Sequence, residues 1–316
     1  MNYINSMGIT IGKLSAAFLF LLCLAVGVTG QTNSSKKVII VRSGIEGDRI
    51  STQWKKAVES RMSADRLDSF ARIRKDISSE EQEWKALIDA RANKWNGFRD
   101  SLRRPFGNTY ISDTIYVMTG YLGNDDGFTF EFNTVCLDIT ALYRAYGSAK
   151  LPVNDNRIDR IFSHEYTHVL HKEWARQNKM RLRSFRDSIL WECLYEGIGM
   201  YRSLSPKWLP VHDTLPQITR ETLAALYPVF AGRMQSIHSD TAFTAERKEQ
   251  LNAGLSRGPV DKKWGALPVG IWLALEAKGN DNNLYQWISK GPEAVLLLAE
   301  KYLPHFEILK VGRINK

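Results

Sequence analysis

Apolar residues fall into three regimes along the chain, and each predicts a different kind of element. From Ser51 to about Arg104, Trp54, Val58, Met62, Phe70, Ile73, Trp84, Leu87 and Trp95 recur at helical spacings in a charged background, predicting two helices broken near Ser78-Ser79. Ser79 with Glu80 to Glu83 behind it reads as a helix start, placing acids over the first turn. Beyond Pro105 the pattern changes. Tyr110 to Met118 and Phe128 to Ile139 are rich in β-branched and aromatic residues, and Gly120, Gly123, Asn124, Asp125, Asp126 and Gly127 separate them, which predicts a hairpin or two sheet strands. From Asn156 nearly to the end the pattern is helical, interrupted at Ser205-Pro206, Pro210, Pro216, Gly254, Gly258-Pro259, Gly279 to Asn283 and Gly291-Pro292. The expected fold is α+β: mostly helical, with a small β-sheet before the helix that carries the histidines and a helical C-terminal half.

The first 30 residues read as an export signal. Lys13 precedes the apolar run Ala16 to Val28, and Val28-Thr29-Gly30 forms a small-residue exit before Gln31. An uncleaved anchor is the alternative, but the run is short for a span and nothing later reaches the ~18 apolar residues a span needs. Cys23 invites a lipid-attachment reading, against which Leu22 stands where a small residue is usual. Export implies a periplasmic or secreted protein with no stable membrane span after cleavage. The remaining chain divides at about residue 150, into helices with a small sheet (31–150) and a helical part (151–316), as halves of one unit.

Charge and cysteine content narrow the picture further. The net charge is +9, and loss of residues 1–30 removes only Lys13 from the count, leaving +8. Between Arg66 and Arg103 the bases alternate with acids as on solvated helix faces, so the charge does not indicate nucleic-acid binding. Cys136 and Cys193 alone remain after cleavage, which excludes a disulfide-stapled scaffold while leaving open a single pairing.

The chemistry is concentrated in Ser163-His164-Glu165-Tyr166-Thr167-His168, an H-E-x-x-H motif within the helical segment Arg157 to Gln177. Residues four apart on a helix lie about 40° from eclipsed, so both imidazoles reach one tetrahedral ion while Glu165 turns toward the open coordination position. With six histidines in the chain, the motif arises by chance in roughly one such sequence in a hundred or fewer. A catalytic zinc site takes a third protein ligand. Downstream, Trp191 to Tyr201 offers two carboxylates one turn apart, Glu192 and Glu196.

The run Glu196-Gly197-Ile198-Gly199-Met200-Tyr201 resembles the segment that opens with the third ligand in glutamate-type zinc peptidases, the gluzincins. The likeness is most marked to the peptidase core of bacterial collagenases, which also read His-Glu-Tyr-Thr-His and carry a Glu-Gly pair at a comparable interval. It spans about Asp155 to Ser203. The resemblance implies a zincin-like fold, Zn2+ held by His164, His168 and Glu196, and Glu165 as general base. It further implies that Phe128 to Asp138 supplies a substrate-binding sheet edge, although an interior strand reads equally well there. Two features depart from the family. Met200 stands where thermolysin-like members have a carboxylate that orients a ligand histidine, which leaves open the inverted assignment of Glu192 as ligand and Glu196 as its support. The Gly-x-Met-Glu-Asn signature of the large aminopeptidases is absent.

Other residues have weaker claims. His171 continues the histidine row but lies about 10 Å along the helix from His164, too far to share an ion, and Cys193 reads as a buried helix cysteine. Oxyanion-stabilising candidates are His212, His238, Tyr285, Tyr302 and His305, with Tyr201 taken as structural. Trp264 to Glu276 is placed beneath the site. The expectation is an exported zinc metallopeptidase acting on peptide or protein substrates, with oligomeric state undetermined. The alternatives are an exported binding or envelope protein with a degenerate motif, and a zinc amidase acting on a non-protein substrate.

Overall fold

The computed structural model describes residues 37–73, 76–121, 125–240 and 242–303. The export segment with Cys23, the turn residues Gly123 and Asn124, and His305 lie outside these. The architecture is α+β, a small mixed sheet followed by a helical C-terminal half.

Strand β1 (Val38–Ser43) precedes a two-stranded ribbon of β2 (Ile45–Glu46) and β3 (Arg49–Ile50). Three helices follow where two were expected: α1 (Thr52–Glu59), α2 (Ala64–Arg72) and α3 (Ser79–Arg103). The break near Ser78 is where the sequence placed it, but Ser78, not Ser79, is the cap. Its hydroxyl accepts from Glu81 N while the Glu81 carboxylate accepts from Ser78 N, a reciprocal capping box.

The sheet continues with β4 (Thr114–Gly120), β5 (Gly127–Phe130) and β6 (Thr134–Asp138). The segment Phe128 to Ile139 is therefore not one strand but a tight hairpin, turning at Glu131 with φ of 54°. The strand order is β1-β4-β6-β5, with β1, β4 and β6 parallel and β5 antiparallel at one edge. Side chains alternate between two cores, as a strand buried on both faces requires. Ile115, Val117, Val135 and Leu137 enter the main cluster, while Met118, Cys136 and Phe128 meet Trp54, Val58 and Leu67 under α1 and α2.

Asp138 ends the sheet and caps α4 (Ile139–Tyr146), accepting from Ala141 N at 2.9 Å. Helix α5 (Pro152–Gln177) begins at Pro152, ahead of the expected Asn156, with proline tolerated in a first turn. It is the central helix of the molecule. On one side Trp95 stacks on Phe162 at 4.3 Å, and the Asp159 carboxylate accepts from Trp95 Nε1 and bidentately from Arg91, which ties α3 to α5. On the other side it packs on α6 (Phe185–Ser203). Beyond lie α7 (Gln217–Ser239), α8 (Ala245–Asn252), α9 (Ala266–Ala277), α10 (Tyr285–Ile288) and α11 (Glu293–Tyr302). Helix α9, the segment placed beneath the site, is apolar all round and packs more closely on α6 than on any other element. The larger core runs continuously from the sheet through α5 and α6 to α11, and the smaller lies under α1 and α2. Among the described residues no helix is long and apolar enough to cross a membrane.

Candidate metal centre

Helices α5 and α6 cross so that the histidine row of one faces the glutamate of the other. His164 Nε2 and His168 Nε2 lie 2.9 Å apart, and Glu196 places Oε2 3.6 Å from the first and Oε1 3.6 Å from the second. His164, Glu165 and His168 also have ligand atoms within 4.8 Å of one another. The separations to Glu196 are too long for good hydrogen bonds. They approach the ~3.3 Å edge of a tetrahedron whose metal–ligand bonds are about 2.05 Å. The two imidazole nitrogens, at hydrogen-bonding distance, lie closer than that edge, and a small separation of the rings would let the three donors meet a tetrahedral ion. Two imidazoles with one carboxylate is a zinc-type donor set. Glu192, the alternative ligand, makes no contact with either histidine among the described residues; Glu196 occupies that place.

The backbone is shaped around this cluster. A Cβ at Gly199 would sit 2.9 Å from ring atoms of both His164 and His168, so the helix surface there has to be bare for the imidazoles to lie over it. Edge strand β5 comes equally close on the other side. A Cβ at Gly127 would lie 3.0 Å from Glu165 Cγ and 3.3 Å from its Oε1.

The two histidines are oriented by different means. Ser203 Oγ stands 3.1 Å from His164 Nδ1 and donates its own proton to the Met200 carbonyl at 3.2 Å. It therefore accepts from Nδ1–H, which leaves the lone pair on Nε2. His168 has no such partner among the described residues, its buried Nδ1 being unbonded. Its ring is instead clamped flat against Tyr195, with centroids 3.9 Å apart and planes 11° from parallel. Ser203 and Tyr195 thus orient the two rings.

Burial sets the electrostatics. It pushes Glu165 up to about 7, with the charges of Glu196 and Asp126 adding to the effect and His164 opposing it. Burial also pulls His168 down to about 4. For Glu196, burial works toward the neutral acid, but the two imidazoles overcome it and hold the carboxyl well below its usual range. The site favours neutral imidazole at His168 beside an ionised Glu196, as a metal requires, whereas at His164 burial is outweighed by the carboxylates of Glu196 and Glu165, which hold the imidazole above its ordinary value.

The cluster opens into a cleft of about 1460 Å³ lined by β5, α5, α6 and the segment 256–263. Of the proposed sheet edge Phe128 to Asp138, only β5 reaches this cleft; β6 is interior, paired on both sides. His171 is fully buried against Trp191, with centroids 4.3 Å apart, and is a packing residue. Cys136 and Cys193 are buried free thiols, so they do not pair. None of the described oxyanion candidates, His212, His238, Tyr285 and Tyr302, lines the cleft. Tyr302 donates instead to Glu276, and Tyr201 donates to Asp281 at 2.8 Å in a structural role.

No protein-family model, curated protein or solved structure matches the chain.

Proposed function

We propose that the chain is an exported zinc-dependent metallopeptidase. The observation that carries this reading is the convergence of His164 Nε2, His168 Nε2 and the Glu196 carboxylate, with the buried carboxyl of Glu165 beside them at the cleft floor. His164, His168 and Glu196 would hold the zinc ion, which when bound polarises a carbonyl and makes water acidic enough to be a nucleophile near neutral pH.

Glu165 is the general base in this reading. It takes the proton of the attacking water and passes it to the departing amine nitrogen. Its burial suits both halves of the task, since a carboxylate desolvated by the protein accepts a proton readily and is close enough to neutrality to return it. Strand β5 supports a peptide substrate in particular. Among the described residues its outer backbone edge has no strand partner, and the strand borders the cleft, so an extended chain can add to it by main-chain hydrogen bonds.

The test is the Glu165→Gln variant assayed on a peptide library with product identification. Zinc content is expected to match the parent while turnover falls about 10²–10⁴-fold. Parental rates in the variant, or products from a non-peptide amide alone, would refute the peptidase reading.

A further inference from the structure

Helix α5 carries two arginines on the turns immediately before its histidines, and both line the cleft. Arg160 lies one turn from His164, and its Nε donates to the Ser203 carbonyl at 3.2 Å, on the residue whose hydroxyl holds His164. Arg157 lies a turn further on, with its guanidinium carbon over the Tyr146 ring at 4.4 Å and bonded to the neutral amide of Asn154. Both are half-buried.

Neither guanidinium has a carboxylate partner among the described residues. The acids on their own helix, Asp155 and Asp159, are both turned to Arg91. Asp126, an acid that lines the same cleft, accepts from the Tyr146 hydroxyl. The two like charges lie close enough on the helix for Arg157 to disfavour the charge on Arg160. Burial first, and then the charge of Arg157, makes the cationic form of Arg160 less favourable than usual, and the charge of Asp159 offsets this only in part. Two other partly buried arginines are paired with carboxylates, Arg91 with Asp159 and Arg202 with Asp281. An uncompensated pair inside a cleft is a site that an anion would relieve, and the planar fork of arginine matches a carboxylate bidentately.

We propose that Arg157 and Arg160 form a carboxylate-recognising subsite, so that the peptides cleaved carry a carboxylate two or three residues from the scissile bond. The distance follows from the helix. At 1.5 Å per residue, the two arginines stand about 6 and 10 Å along the axis from His164, which an extended peptide rising about 3.3 Å per residue covers in two to three residues. The carboxylate comes from an aspartate or glutamate side chain or from a free C-terminus. The assignment rests on the peptidase reading.

The experiment measures binding rather than turnover. Labelled peptides are titrated by fluorescence anisotropy against the zinc-loaded Glu165→Gln chain. One pair has an amidated C-terminus and differs as internal Asp against Asn; the other is neutral and differs as free C-terminus against amide. In at least one pair the carboxylate peptide is expected to bind about tenfold or more tighter than its amide, and the pair showing this identifies the source. The preference is expected to fall below about twofold in R157Q/R160Q at unchanged zinc content. The single variants R157Q and R160Q are each expected to reduce it, which keeps the test alive should the double variant misfold. Equal affinities within both pairs, or a preference that survives the substitutions, would overturn the proposal. A parent that binds carboxylate peptides selectively and hydrolyses none would instead count against the peptidase reading alone.

Discussion

Ser203 sits two turns beyond Glu196 on the same helix face, with its oxygen 3.1 Å from His164 Nδ1. A hydroxyl that accepts from one ring nitrogen presents the other nitrogen's lone pair to a metal, so its contribution is to orientation and basicity rather than to binding directly. Ser203→Ala is therefore expected to weaken zinc affinity about 10–100-fold with the fold intact, measured by competition against a chelator. An unchanged affinity would show that packing alone holds the ring. The residues at the centre were legible in the sequence because their relation is local. Helical periodicity fixes how His164, Glu165 and His168 are disposed, whatever surrounds them. Ser203 and Tyr195 were not legible, since each reaches its histidine only through the particular crossing of two helices. Gly127 was read as a turn residue; its role in admitting Glu165 needs the third dimension.

At the scale of elements, the site depends on how closely α6 approaches α9. A Cβ at Gly197 would lie 2.5 Å from Val269 Cγ1, and one at Gly270 would lie 2.9 Å from the Gly197 carbonyl oxygen. Paired glycines thus let α6 and α9 approach closely, and this seat fixes the rotation of α6 that aims Glu196 at the histidines. Gly197→Ala is expected to destabilise the protein by about 1–3 kcal/mol through overpacking, with part restored by adding Val269→Ala. Denaturant unfolding of the three proteins checks this, and an undiminished midpoint in Gly197→Ala would contradict it. Helix existence was readable from apolar spacing, whereas strand detail was not. β1 went unread because a short apolar run is ambiguous without its partner β4. The β5–β6 hairpin was hidden because its turn, Glu131 to Asn133, lacks the glycine that usually marks one.

For the molecule as a whole, the most consequential buried group outside the site is His171, fully enclosed beside Phe106, Trp174, Trp191 and Tyr195. Burial, reinforced by His168, holds it neutral with a pKa well below its ordinary value. The unfolded chain takes up this proton near pH 6.5, so the native state binds fewer protons below that pH. Stability is full above about 6.5 and declines as the pH falls toward the folded value. Unfolding at pH 7.5 and 5.5 is expected to show a pH-dependent loss that is smaller in His171→Phe. Identical losses in the two proteins would contradict it.

The central claim is that His164, His168 and Glu196 hold one zinc ion, and the direct measurement is metal content by elemental mass spectrometry. The parent, His168→Ala, Glu196→Ala and Glu192→Ala are compared as purified chains of equal folded fraction. The account predicts about one zinc per chain in the parent and in Glu192→Ala, and its loss in the other two. A well-folded parent without zinc, or retention in Glu196→Ala with loss in Glu192→Ala, would contradict it.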